Sequence, residues 1–180
     1  MPITKLKIPS VTLLTLFALC SFLVGAEHSP DHKLKSMGIE LPTPSTPVAN
    51  YVHAVRTGNL VFMAGHGPVD SNGQLIKGKL GKDTSVEEGY KAARAVAIGI
   101  LGSLKKEIKD LNKVVRIVKV TGMVNSTDDF TQHPEVINGF SDFMVEVFGA
   151  KGKHARAAVG MNSLPRGMVV EIEMVVEVSN

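Results

Sequence analysis

Nine residues near the end of the chain constrain its fold most: Val170-Glu171-Ile172-Glu173-Met174-Val175-Val176-Glu177-Val178. Side chains alternate across a strand, so Val170, Ile172, Met174, Val176 and Val178 share one face. Glu171, Glu173 and Glu177 share the other. A face that apolar requires a packed layer against it. Just upstream, His154-Ala155-Arg156-Ala157-Ala158-Val159-Gly160 reads as a second strand, and Leu164-Pro165-Arg166-Gly167 as the turn between them. Pairing of these two strands is expected to bring Arg156 and Glu171 into one small site. A guanidinium offers fixed, forked donors that suit a planar carboxylate. A nearby carboxyl group can then move protons. The chemistry indicated is proton transfer on a small carboxylate-bearing molecule. The plainer alternative is a structural ion pair between Arg156 and Glu171 or Glu173.

The rest of the domain supplies the packed layer. Tyr51 to Arg56 reads as a short strand, turning at Thr57-Gly58-Asn59 into the apolar run Leu60-Val61-Phe62-Met63-Ala64. Asp70-Ser71-Asn72-Gly73 is a turn. Ser85 with Glu88 three residues on is a capping box. It opens a helix to about Glu107, with Val86, Tyr90, Ala93, Ala97, Ile100, Leu101 and Leu104 on one face. Val114 to Val124 is a β-branched strand. Pro134 suits the first turn of a second helix, whose apolar face is Val136, Ile137, Phe140, Phe143, Met144 and Val147.

The order β-β-α-β-α-β-β predicts an α+β fold, a mixed β-sheet covered on one face by two helices. No glycine-rich phosphate loop joins strand to helix, which excludes a dinucleotide fold. The glutamate face of the last strand is expected to meet something polar, such as a subunit interface.

The start of the chain reads differently. Lys5 and Lys7 precede an apolar run from Val11 to Val24, and Val24-Gly25-Ala26 offers small residues for cleavage. Residues 1–26 are therefore expected to be a signal peptide, sending the protein to the periplasm or out of the cell. The run is shorter than the roughly 20 residues of a spanning helix, so a stable membrane anchor is not expected after cleavage. Pro30, Pro42, Pro44 and Pro47 make residues 27–49 an expected extended linker or lead-in, leaving 50–180 as one domain.

Removing residues 1–26 leaves 18 basic and 17 acidic residues, a net charge of +1. That balance, with two tyrosines and no tryptophan, gives nucleic acid little to bind or stack on. Cys20 leaves with the signal, so the mature chain has no disulfide and no thiolate nucleophile. No His-Xaa-Xaa-Xaa-His pair or carboxylate cluster has metal-ligand spacing.

The motifs also resemble a known family. Met63-Ala64-Gly65-His66-Gly67-Pro68 is similar to the Ser-Gly-Gln-Xaa-Pro segment of the RidA/YjgF enamine/imine deaminases, also called endoribonuclease L-PSP-like. Val136-Ile137-Asn138-Gly139-Phe140 resembles their asparagine-bearing helix start. Arg156, Leu164-Pro165 and Val170-Glu171-Ile172-Glu173 complete the likeness, which runs from about Val48 to Val178 in the manner of a divergent branch. The resemblance implies a chorismate mutase-like fold, a homotrimer and ligand clefts between subunits. It implies a hydrolase that turns reactive 2-imino or enamine acids into 2-keto acids and ammonia, as a 2-iminobutanoate/2-iminopropanoate deaminase does. On that likeness Arg156 holds the substrate carboxylate and Glu171 activates the water. Tyr51 and Asn138 line the cleft, Gly65 offers backbone groups, and no metal or organic cofactor is needed. Ala64, His66 and Ala158 depart from the family's usual serine, glutamine and cysteine, and His66 can replace the glutamine as a hydrogen-bonding group. The alternatives are a non-catalytic small-molecule-binding or interaction trimer and, further off, an endoribonuclease.

Overall fold

A computed structural model describes residues 29–44, 46, 47 and 49–180. The expected signal peptide, residues 1–26, lies outside the described residues. The chain divides into two units, residues 1–39 and 40–180.

In the first unit, Pro30–Ser36 forms a short helix, α1. Its start is written in the sequence: the Ser29 hydroxyl accepts the His32 N–H at 3.1 Å, Pro30 occupies the first turn, and Asp31 follows. The expectation of an extended lead-in fails here. Dense prolines favour extension, but proline at a helix start is preorganised for the helix.

The second unit carries five strands and two long helices. They are β1 (Ala54–Thr57), β2 (Leu60–His66), α2 (Val86–Ile108), β3 (Val114–Asn125), α3 (His133–Phe148), β4 (Ala155–Met161) and β5 (Val170–Val178). The capping box holds: Ser85 Oγ accepts the Glu88 N–H at 3.2 Å, and Glu88 accepts the Ser85 N–H at 2.8 Å. The strands form one sheet in the order β1-β2-β5-β3-β4. β3 and β4 run parallel, and every other pair is antiparallel.

That order corrects one expectation. β4 and β5 do not pair; β3 lies between them. The reason is the β3-α3-β4 crossover, which returns the chain parallel to β3 on its outer edge. The remaining slot, between β2 and β3, takes a strand antiparallel to both. β5 can fill it because all five of its inward side chains are buried.

Both helices cover the same face. Val61, Met63, Ile117, Val120, Val124, Ile172, Met174 and Val176 meet Ile100, Leu101, Leu104, Ile137, Phe140 and Met144 in a core with almost no solvent access. Small residues set the spacing. A β-carbon at Gly122 on β3 would collide with Ile137 of α3, and one at Gly139 would strike the Tyr90 carbonyl of α2. Among the described residues no second layer covers the other face of the sheet. Phe62, Lys119, Thr121, Glu173 and Val175 line a shallow recess there of about 130 Å³.

Candidate active site

Arg156 stands on the edge strand β4, in register with buried Val120 on β3, so its side chain lies on the helix side. Ile137 seats on Gly122, which lowers α3 onto the sheet and presents Asn138 and Ser141 to the arginine. Arg156 Nη1 donates to Asn138 Oδ1 at 2.9 Å and to Ser141 Oγ at 3.0 Å. No carboxylate pairs with Arg156 among the described residues. Two neutral oxygens therefore orient the guanidinium and leave the rest of its fork for a ligand. The structural ion pair with Glu171 or Glu173 is not formed within the chain.

His154 completes this group. Its Nδ1 lies 2.7 Å from the Gly152 carbonyl oxygen, which only accepts, so Nδ1 carries the proton. In the neutral ring Nε2 then accepts from the Ser141 hydroxyl, at 3.1 Å. Burial holds the His154 pKa below the ordinary histidine value, and the Arg156 charge lowers it further, against the Gly152 bond. Ser141, Val145, Lys153, His154 and Arg156 line one open cleft of about 260 Å³.

Glu171 lies elsewhere. It is in register with Met123 on β3, three residues along from Val120, and so faces the uncovered side of the sheet. It is half-buried there, beside Gly65. Burial pushes its carboxyl above the ordinary carboxylate value, and the neighbouring Glu173 charge adds to the shift. Gly65 reaches it through a bulge. Met63 pairs with Met174 and His66 with Ile172, so Ala64 and Gly65 together oppose Glu173 alone. Glycine at 65 lets the Glu171 carboxyl group lie against the β2 backbone, in space that a β-carbon would overlap.

The same bulge turns His66 to the helix side. Its Nδ1 donates to the Ala64 carbonyl at 2.7 Å, and the Ser103 hydroxyl of α2 donates to its Nε2 at 2.8 Å. Burial lowers the His66 pKa, with the His53 ring also opposing a charge, while the Ala64 bond works the other way. The His53 and His66 ring centroids are 5.4 Å apart, and Tyr51 meets His53 edge-on at 6.4 Å. Tyr51 itself is exposed.

Within one chain, then, the six expected residues fall into three groups. Arg156 meets Asn138; Glu171 meets Gly65; Tyr51 meets His66 through His53. Ser141, His154 and Ser103 were not singled out from sequence. Ser141 had a signal, standing three residues after Asn138 on the same helical face. His154 shares a strand face with Arg156, two residues on. Ser103 is a buried hydroxyl between Ile100 and Leu104, where a polar partner is required. Among the described residues no group of three or more His, Cys, Asp or Glu gathers as a metal site.

The fold and this arrangement define a class, and comparison with known proteins agrees. Residues 31–178 match the family model described as YjgF/chorismate mutase-like, putative endoribonuclease. The chain belongs to that family. The match begins inside the stretch expected to be linker. Protein TCP17 of Trypanosoma cruzi is 40% identical over 148 residues, 82% of this chain and 92% of that one. The crystal structure of protein Atu1372 from Agrobacterium tumefaciens, of unknown function, superposes with a TM-score of 0.78 at 38% identity, covering 88% of this chain and 99% of that one. RidA from the Antarctic bacterium Psychrobacter sp. PAMC 21119 superposes with a TM-score of 0.54 at 25% identity, covering 76% and 94%.

Proposed function

We propose that the protein hydrolyses reactive 2-imino or enamine acids to 2-keto acids and ammonia, in clefts between the subunits of a homotrimer. The observation that carries this reading is Arg156: a charged guanidinium, oriented by Asn138 and Ser141, with no carboxylate of its own among the described residues. A substrate carboxylate supplies the missing partner and fixes the imine carbon in place. Glu171 takes a proton from the attacking water as the C–O bond forms, giving a carbinolamine. That proton passes to nitrogen; the carbinolamine hydroxyl then gives its own proton, again by way of Glu171, to the amino group, and the C–N bond breaks to release neutral ammonia as the carbonyl forms. A carboxyl held above its ordinary pKa is suited to exchange protons nearer neutral pH.

Arg156 and Glu171 lie on opposite faces of one sheet, so one ligand is best shared between Arg156 of one copy and Glu171 of another. The uncovered face supports assembly: Phe62 and Val159 are 45% and 41% exposed there, an apolar surface that a second copy can cover. Tyr51, on the opposite side of the sheet order from β4, joins the cleft in the same way. The substrate arrives outside the cytosol on this reading, because residues 1–26 direct export. Cytosolic enamines are separated from such a protein, which favours a substrate generated in its own compartment.

The test is a coupled assay of residues 27–180 with freshly generated 2-iminopropanoate and 2-iminobutanoate, beside Arg156→Ala and Glu171→Gln. Faster decay with the wild type, lost in both variants, is expected. Carboxylate binding that survives in Glu171→Gln without any wild-type acceleration would identify a binding trimer instead. Salt-sensitive RNA binding by a nuclease-free preparation would revive the endoribonuclease reading.

A further inference from the structure

Two acids of α3 are held away from the arginine cleft. Asp142 and Glu146 are one turn apart and both face α2: Asp142 accepts the Tyr90 hydroxyl at 3.0 Å, and Glu146 pairs with Arg94 at 2.8 Å. The adjoining face of α3 presents Asn138, Ser141 and Val145, which carry no charge. Across from it stand Arg156 and Lys153. Lys153 is exposed at the entrance to β4 and has no carboxylate partner among the described residues. Its neighbour Lys151 is already engaged, donating to the Val114 carbonyl at 3.2 Å. Two cations thus line a cleft of about 260 Å³ whose walls contain no acid. Val145 supplies an apolar wall, and His154 holds Ser141 in place. One monocarboxylate satisfies Arg156 and leaves Lys153 uncompensated.

We propose that this cleft selects a substrate with a second anionic group, a 2-imino dicarboxylic acid, with one carboxylate on Arg156 and the other on Lys153. The inference rests on the deaminase reading for the role of Arg156 and adds the substrate class to it. Lysine is a hydrated point charge on a flexible stem, so it suits a second carboxylate at variable reach better than a fixed fork. Its exposure limits the gain to about fivefold in affinity, the scale of a surface ion pair. Salt must weaken that gain.

The test is calorimetric titration of the purified protein with two non-reacting keto acids of equal chain length, 2-oxoglutarate and 2-oxopentanoate. They differ at the far end, carboxylate against methyl. Wild type is expected to bind 2-oxoglutarate about fivefold tighter at low salt, with the ratio shrinking toward one at high salt. Lys153→Met keeps the aliphatic stem and removes the charge; the preference should vanish there and return in Lys153→Arg. Equal affinities in wild type, or a preference that persists in Lys153→Met, would overturn the inference. Binding of 2-oxopentanoate that is lost in Arg156→Ala would uphold the carboxylate role of Arg156 whichever way Lys153 behaves. Failure of both acids to bind wild type would overturn both readings.

Discussion

Gly65 lies against Glu171 so closely that a β-carbon at position 65 would occupy the space of the glutamate carboxyl group. The bulge in β2 creates this contact, and it confines the carboxyl without a hydrogen-bonding side chain. Gly65→Ala must turn the carboxyl aside or move the bulge. Turnover is expected to fall on the order of a hundredfold, the usual consequence of misplacing a reacting group by about an ångström. The cost in stability should be small, because the obstructing atoms end a flexible, half-buried side chain. Steady-state kinetics beside keto-acid titration will separate the effects, since Arg156 holds the carboxylate and Gly65 acts through Glu171, so turnover should fall more than carboxylate affinity.

Glu171 should act against the stability of the fold that holds it. Its folded pKa is raised, so the folded chain holds that proton more tightly than the unfolded chain. The contribution is fully present below the ordinary carboxylate value and is lost as pH rises through the raised one. At neutral pH the charged group is therefore unfavourable. Because it is only half-buried, Glu171→Gln should stabilise by less than about 1 kcal/mol. Urea titrations at pH 4 and pH 7 should show the gain at pH 7 only. A variant that is less stable than wild type at pH 7 would refute this account.

His66 has the opposite sign. Its folded pKa is lowered, so its contribution is fully present above the ordinary value near 6.5 and is lost as pH falls through the lowered one. Protonation also displaces the Ser103 hydroxyl from Nε2. Melting temperature should drop on acidification from pH 7 toward pH 5, and His66→Gln should flatten that limb. Ser103→Ala leaves Nε2 buried without a donor and should cost about 1–3 kcal/mol at pH 7.

Two glycines of the helices should respond in opposite directions to alanine. Gly139 of α3 abuts the Tyr90 carbonyl of α2, and Gly139→Ala must push the helices apart. A loss of about 1–3 kcal/mol is expected. Gly99 in α2 has no atom near the site of a β-carbon. Gly99→Ala should stabilise by about 0.4–1 kcal/mol by restricting the unfolded chain. Thermal unfolding of the pair gives a direct comparison.

Most of the fold was legible in the residues. The capping box at Ser85 and Glu88, the start of α3 near Pro134 and the alternation of β5 are local signals, each written within a few positions. The likeness to the RidA/YjgF pattern at 63–68, 136–140 and 156–173 indicated the family correctly. Within the lead-in only Pro30–Ser36 departs from an extended reading, because Ser29-Pro30-Asp31 is a helix start. The arrangement of the candidate residues was legible only in part. Arg156 and Asn138 do meet, yet the expected meeting of Arg156 with Glu171 in one chain fails, because β4 and β5, consecutive in sequence, are separated in the sheet by β3.

The sequence by itself determined which segments become strands and helices and which face of each is apolar, because hydrophobic periodicity and caps act over a turn or two of chain. Only the tertiary structure decided that β5 enters between β2 and β3, that the bulge at Ala64 and Gly65 sends His66 to Ser103 and leaves Gly65 on Glu171, and that Asp142 and Glu146 of α3 turn toward α2. Those outcomes depend on pairings between residues far apart in the chain. Their free energy comes from closing the whole core at once, and no short window of sequence encodes it.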